Sequence, residues 1–124
     1  MRTQGKSITK PSGGRLHAAR GKRVYEVGSD PQLTQFDENK LRFLRTRGGH
    51  IKSKLLSANV VNLLDPKTHK YTQAKIKTVV DNPANRNFIR RNIITKGCIV
   101  QTDKGKAKVT SRPSQDATVN AVLV

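Results

Sequence analysis

The residues Asn82 to Arg91 read NPANRNFIRR, a turn-forming Asn-Pro followed by asparagines, one aromatic and three arginines, Arg86, Arg90 and Arg91, with no acid among them. Guanidinium and carboxamide groups are planar and carry several donors, so together they suit the phosphate and sugar oxygens of a nucleic-acid backbone. Val79 and Val80 precede the stretch and Ile93 and Ile94 follow it; these apolar pairs are expected to hold it on a core. Two roles divide its polar residues. Asn82, Asn85 and Asn92 can shape the turn through side-chain bonds to the backbone, while Arg86, Arg90 and Arg91 meet the ligand. Asn85, Asn92 and Lys96 join the arginines as candidate contacts.

Two further stretches share this chemistry. Residues 1–23 hold seven basic residues, Arg2, Lys6, Lys10, Arg15, Arg20, Lys22 and Arg23, with no acid and almost nothing apolar beyond Ile8 and Leu16. Such a segment has little to bury. It is either a disordered, solubilising terminus or an arm that orders against RNA, its Gly13-Gly14 step letting the backbone lie close to phosphates. Residues 40–54 are again wholly positive, with Lys40, Arg42, Arg45, Arg47, Lys52 and Lys54. Leu41 and Phe43 alternate against the arginines, which predicts a strand with one apolar and one basic face. Gly48-Gly49-His50 interrupts it as a turn, and the turn is either an ordinary hairpin or a place of close backbone approach to a ligand. Arg112, in a later turn, completes the candidate set.

The whole chain has 124 residues, 25 Lys and Arg against eight Asp and Glu, and a formal charge of +17. That charge calls for a polyanionic partner. A membrane surface would require an amphipathic helix with large apolar and aromatic residues on one face, and neither that nor a run of about 18 apolar residues is visible. No secretory apolar run opens the sequence, and the single cysteine, Cys98, excludes an internal disulfide, so a cytoplasmic location is expected. His17, His50 and His69 lack the spacing of a zinc site, and the scattered Asp30, Asp37 and Glu38 read as solvated rather than metal-binding. His50 could serve a nuclease only with a lysine and an acid that nothing in the pattern places beside it. Phosphate-binding loops, dinucleotide glycines and a nucleophile elbow are all missing from the sequence. No enzyme, cofactor, metal or small-molecule substrate is expected.

The elements that must position these residues read as short strands. Val24–Gly28 is predicted as a first strand and 28–40 as a loop. Residues 55–64 and 71–80 form a hairpin across Asp65–Lys70, with Ala74, Ile76, Thr78 and Val80 on one side of the second strand. Residues 98–102 and 106–110 form another across Asp103-Lys104-Gly105, with Ala107 and Val109 inward. Ser111–Asp116 is a turn, and 118–124 a last strand with Val119, Ala121 and Leu123 on one face. Seven or so strands at this spacing predict an all-β protein: a small antiparallel β-barrel domain over residues 24–124, preceded by an extended basic tail, 1–23.

Taken together, NPAN and RRNIITKG within 82–97, Gly105, VTSRP at 109–113, Gln115-Asp116 and VNAVL at 119–123 resemble the small-subunit ribosomal protein eight-e family of archaea and eukaryotes. Ser12-Gly13-Gly14, Tyr25-Glu26 with Gly28, RGG at 47–49 and Asp65-Pro66 support the resemblance, and the length resembles the archaeal form. Thr9 and Val24 stand where the family usually has basic residues, and His50 where it often has Asn. Ser114 and Ala117 stand where many relatives have Gly, in a turn that could require positive φ. The resemblance implies a β-barrel bound to small-subunit ribosomal RNA among neighbouring ribosomal proteins, as a structural and non-enzymatic part of the cytoplasmic ribosome. A transient ribosome-assembly factor or other RNA-binding protein is the alternative.

Overall fold

The computed structural model describes residues 7–124. The chain divides into two compact units, Met1–Pro31 and Gln32–Val124. In the first unit none of the described residues is buried. Ile8 to Leu16 folds back on itself: the Leu16 N–H donates to the Ile8 carbonyl at 2.7 Å and the Lys10 N–H to that of Gly14 at 2.7 Å. Gly13, at φ 84°, makes the turn. The expected strand at Val24–Gly28 is instead a single 3-10 turn, Val24–Glu26. Val24 and Tyr25 are 89% and 61% exposed, so no sheet covers either face.

The second unit holds nine strands: β1 Thr34–Phe36, β2 Lys40–Arg45, β3 Ile51–Ala58, β4 Val60–Leu64, β5 Tyr71–Asp81, β6 Ile93–Ile94, β7 Ile99–Thr102, β8 Gly105–Val109 and β9 Asn120–Leu123. Two one-turn helices, α1 Asn87–Arg90 and α2 Pro113–Asp116, interrupt them. Strands β4-β5-β7-β8-β9 close into a barrel, and β2-β3-β1-β6 form a four-stranded sheet. The expected barrel is therefore present. Its closing pair, β4 with β9, is parallel rather than antiparallel. The expected single strand over 55–64 breaks at Asn59, where the chain leaves the sheet for the barrel; the Asn59 N–H donates to the Asn39 side chain and its carbonyl accepts from Ile76.

The core joins Leu55, Val61, Leu63, Ile76, Val79, Ile94, Val100 and Val109, all at most 5% exposed. Each such side chain contributes roughly 1.5–3 kcal/mol by leaving water. Alternation places Ala107 and Val109 inward as predicted. On β5 it fails halfway. A register shift between Ile76 and Thr78 inserts an extra residue, so Val79 turns inward while Thr78 and Val80 face out, which corrects the expected face. The segment 28–40, expected to be all loop, contains β1, whose buried Thr34 donates its hydroxyl to the Leu55 carbonyl at 2.8 Å.

Candidate nucleic-acid interface

The NPANRNFIRR stretch is built around Asn82, which is 3% exposed. Its amide nitrogen donates to the Ile93 carbonyl at 3.1 Å, and its Oδ1 accepts from the Ala84 N–H at 3.1 Å and the Thr95 hydroxyl at 2.9 Å. One carboxamide thus ties the start of the loop to β6, its bond to the Ile93 carbonyl buried away from competing water. Asn85 Oδ1 accepts from the Asn87 N–H at 2.9 Å, opening α1. Asn92 takes a left-handed φ of 48°, which Asn tolerates better than most residues. Its N–H donates to Ile89, its carbonyl accepts from Phe36, and its Oδ1 accepts from Val79 at 3.4 Å.

The asparagines therefore shape this loop. Phe88 and Ile89 are half-buried against it, whereas Arg86, Arg90 and Arg91 are exposed. Val79, Ile93 and Ile94 anchor the segment as expected; Val80 does not, because the bulge turns it outward.

The second cluster is the β2–β3 ribbon. From Leu41 to Lys54 no residue is buried, so the hairpin stands clear of the core. Pairing sets Arg42 opposite Lys54 and Leu44 opposite Lys52 on one face, with Leu41 opposite Leu55, Phe43 opposite Ser53 and Arg45 opposite Ile51 on the other. The predicted two-faced strand is present, except that Leu44 joins the basic face and Arg45 the apolar one. Lys40 lies exposed at the root of the ribbon. At its tip Gly48 and Gly49 adopt φ of 85° and 86°, with the Thr46 N–H and hydroxyl both donating to the His50 carbonyl. A methyl group at Gly49 would meet nothing within 4 Å. The glycines serve the backbone conformation and leave the turn open to approach from outside.

Among the described residues the ion pairs are Arg20 with Glu26 and Lys77 with Asp103. Arg42, Arg45, Arg47, Lys52, Lys54, Arg86, Arg90, Arg91 and Lys96 join none. A directly opposed Arg42 and Lys54 repel in the isolated protein. Of the other candidates, Arg20 grips Glu26 through both its terminal nitrogens, at 2.9 and 2.6 Å, and Arg112 donates to Gln115 at 3.1 Å. Lys10, Gly13, Gly14 and Arg15 lie within the Ile8–Leu16 fold-back, and Lys22 and Arg23 follow it, all exposed. Arg2 and Lys6 lie outside the described residues. Cys98 is fully buried, and burial pushes its thiol above the usual range, so it packs as a small apolar residue. No group of three potential metal ligands occurs among the described residues.

The family model described as ribosomal protein S8e matches residues 3–124. The chain belongs to the ribosomal protein S8e family. It is similar to small ribosomal subunit protein eS8 of Methanobrevibacter smithii, at 52% identity over 98% of both chains. The eS8 proteins of Methanosarcina barkeri and Methanocella arvoryzae are 50% and 48% identical to it, each match covering all of this chain and 99% of the relative. S8e proteins are structural ribosomal components rather than enzymes. S8e membership also carries a part in translation.

Proposed function

We propose that this chain binds small-subunit ribosomal RNA as a lasting constituent of the small subunit in the cytoplasm, through the loop 82–97, the β2–β3 ribbon and the basic residues of 1–23. The observation that carries the proposal is the acid-free and largely exposed set of cations on the first two elements, on a loop framed by engaged asparagines and on a paired two-stranded ribbon. Lys and Arg there neutralise phosphates and release counterions, a gain that needs no base sequence. The open glycine turn at 48–49 lets backbone approach sugar and phosphate, and the basic face of the ribbon tracks a strand of RNA by shape. The neighbours in such a site include other small-subunit proteins.

Replacing Arg90 and Arg91 together by Ala tests this directly. Both side chains are exposed, so the melting temperature should stay within a degree or two while affinity for small-subunit RNA falls about tenfold or more, on the scale of charge-assisted contacts. Unchanged affinity in that variant, and in a matching Arg42 and Lys52 variant, would remove the reading. Retention on small subunits through a high-salt wash separates a lasting constituent from a transient assembly factor.

A further inference from the structure

The chain carries a second surface of the opposite character. A cleft of about 550 Å³ over β4, β5 and β9 is lined by Asn62, Leu64, Tyr71, Gln73, Asn120 and Val122 with their neighbours, and none of the lining residues is charged. A second cleft shares Asn62 and Gln73 with it and continues to Leu41 and Leu55, again without a charged residue. Leu41 passes the surface on to Phe43 and Ile51, which lie on the same face of the ribbon. Leu41, Phe43, Ile51 and Tyr71 are 47%, 65%, 70% and 76% exposed. Charge borders the face at Arg45 opposite Ile51, at Lys75 opposite Val60 and at Lys108 opposite Val122.

A continuous uncharged face is unexpected in a chain with 33 charged residues out of 124, most of them at the surface. Depletion of charge at the centre, exposed aromatics and a charged rim are the composition of a protein–protein contact. No lining side chain pairs with a phosphate, and the cations that could, Lys75 and Lys108, stand at the rim, so RNA would gain little counterion release at the centre of this face. A second copy of the chain would bring another +17 charges to the same contact. The side-chain amides of Asn62 and Asn120, bonded to each other at 3.0 Å, offer hydrogen bonds to a polypeptide without requiring a charge in return.

We propose that this face docks a different protein of the small subunit, one presenting an uncharged, apolar-rich surface, with Tyr71 and Phe43 as its anchors. The proposal rests on membership of a ribosomal family and not on the RNA contacts assigned above.

The test places a photoreactive phenylalanine analogue at Tyr71, or at Lys52 on the basic face, in the full chain within intact small subunits. From Tyr71 the expected product is an adduct with one other protein. With the analogue at Gln73 instead, Tyr71→Lys should lower the yield of that same adduct at least tenfold while leaving the melting temperature of the free chain unchanged. An RNA adduct from Tyr71, an adduct with a second copy, no protein adduct, or a yield indifferent to Tyr71→Lys overturns the proposal. The Lys52 probe reports separately on RNA. If Lys52 fails to reach RNA while Tyr71 still reaches a protein, the docking face stands and the RNA reading falls.

Discussion

A buried carboxamide and a misplaced methyl group show how much single residues decide in this fold. Asn82 satisfies Ile93, Ala84 and Thr95 at once, so Asn82→Ala leaves buried polar groups without partners and should cost about 2–3 kcal/mol. Denaturant unfolding would register this as a lower midpoint with an unchanged slope. Ala117 presents the reverse case. It ends α2 at φ 60°, its N–H donating to the Pro113 carbonyl at 3.1 Å. The positive φ suspected from sequence falls on Ala117 and not on Ser114, which lies inside the helical turn. A left-handed Ala costs about 1–2 kcal/mol against glycine's extra chain entropy of roughly 0.5–1, so Ala117→Gly should stabilise by about 0.5–1 kcal/mol. A melting temperature that drops in this variant would contradict the account.

At the scale of elements, what was legible in sequence follows from how local each signal is. The β7–β8 hairpin was legible because Asp103-Lys104-Gly105 and the inward Ala107 and Val109 lie within a dozen residues. That asparagines could shape the turn in 82–92 was legible for the same reason, although Asn85 and Asn92 also read as candidate contacts. The outward turn of Thr78 was not, since the bulge in β5 depends on its register with β7, where Thr78 pairs with Gln101. Strand β1 was hidden because three residues in a polar segment become a strand only when β3 and β6 pair with them. The Tyr71 face was invisible for a related reason: its residues come from separate strands of the barrel and of the β2–β3 ribbon, which only the folded unit brings together.

The ribbon supplies the prediction proper to this scale. Lys54→Glu turns a repulsive cross-strand pair with Arg42 into an attractive one, worth about 0.2–1 kcal/mol. The variant should therefore melt slightly higher and yet bind RNA more weakly. An affinity for RNA that stays the same or rises in this variant would show that the basic face is not where RNA lies.

For the whole molecule the governing quantity is the +17 charge, seven units of which lie in residues 1–23 without an acid. None of the described residues in that segment is buried, so it contributes little to a core. Removing residues 1–23 should leave thermal unfolding close to that of the full chain. Its effect belongs to binding. Every phosphate that the shortened chain no longer neutralises should make the slope of log affinity against log salt shallower by about 0.7–0.9. The deficit in affinity should be largest at low salt and fade as salt rises, because the shortened chain forgoes counterion release and not surface burial. Arg20, already paired with Glu26 at 2.6 Å, must give up that partner to meet a phosphate, so Arg20→Ala alone should change the slope less than Arg15→Ala. Titrating small-subunit RNA with the full and shortened chains over a range of salt separates the two readings of the terminus. A parallel pair of lines would mean that residues 1–23 only solubilise the protein, and a shallower line for the shortened chain that they are an RNA-binding arm.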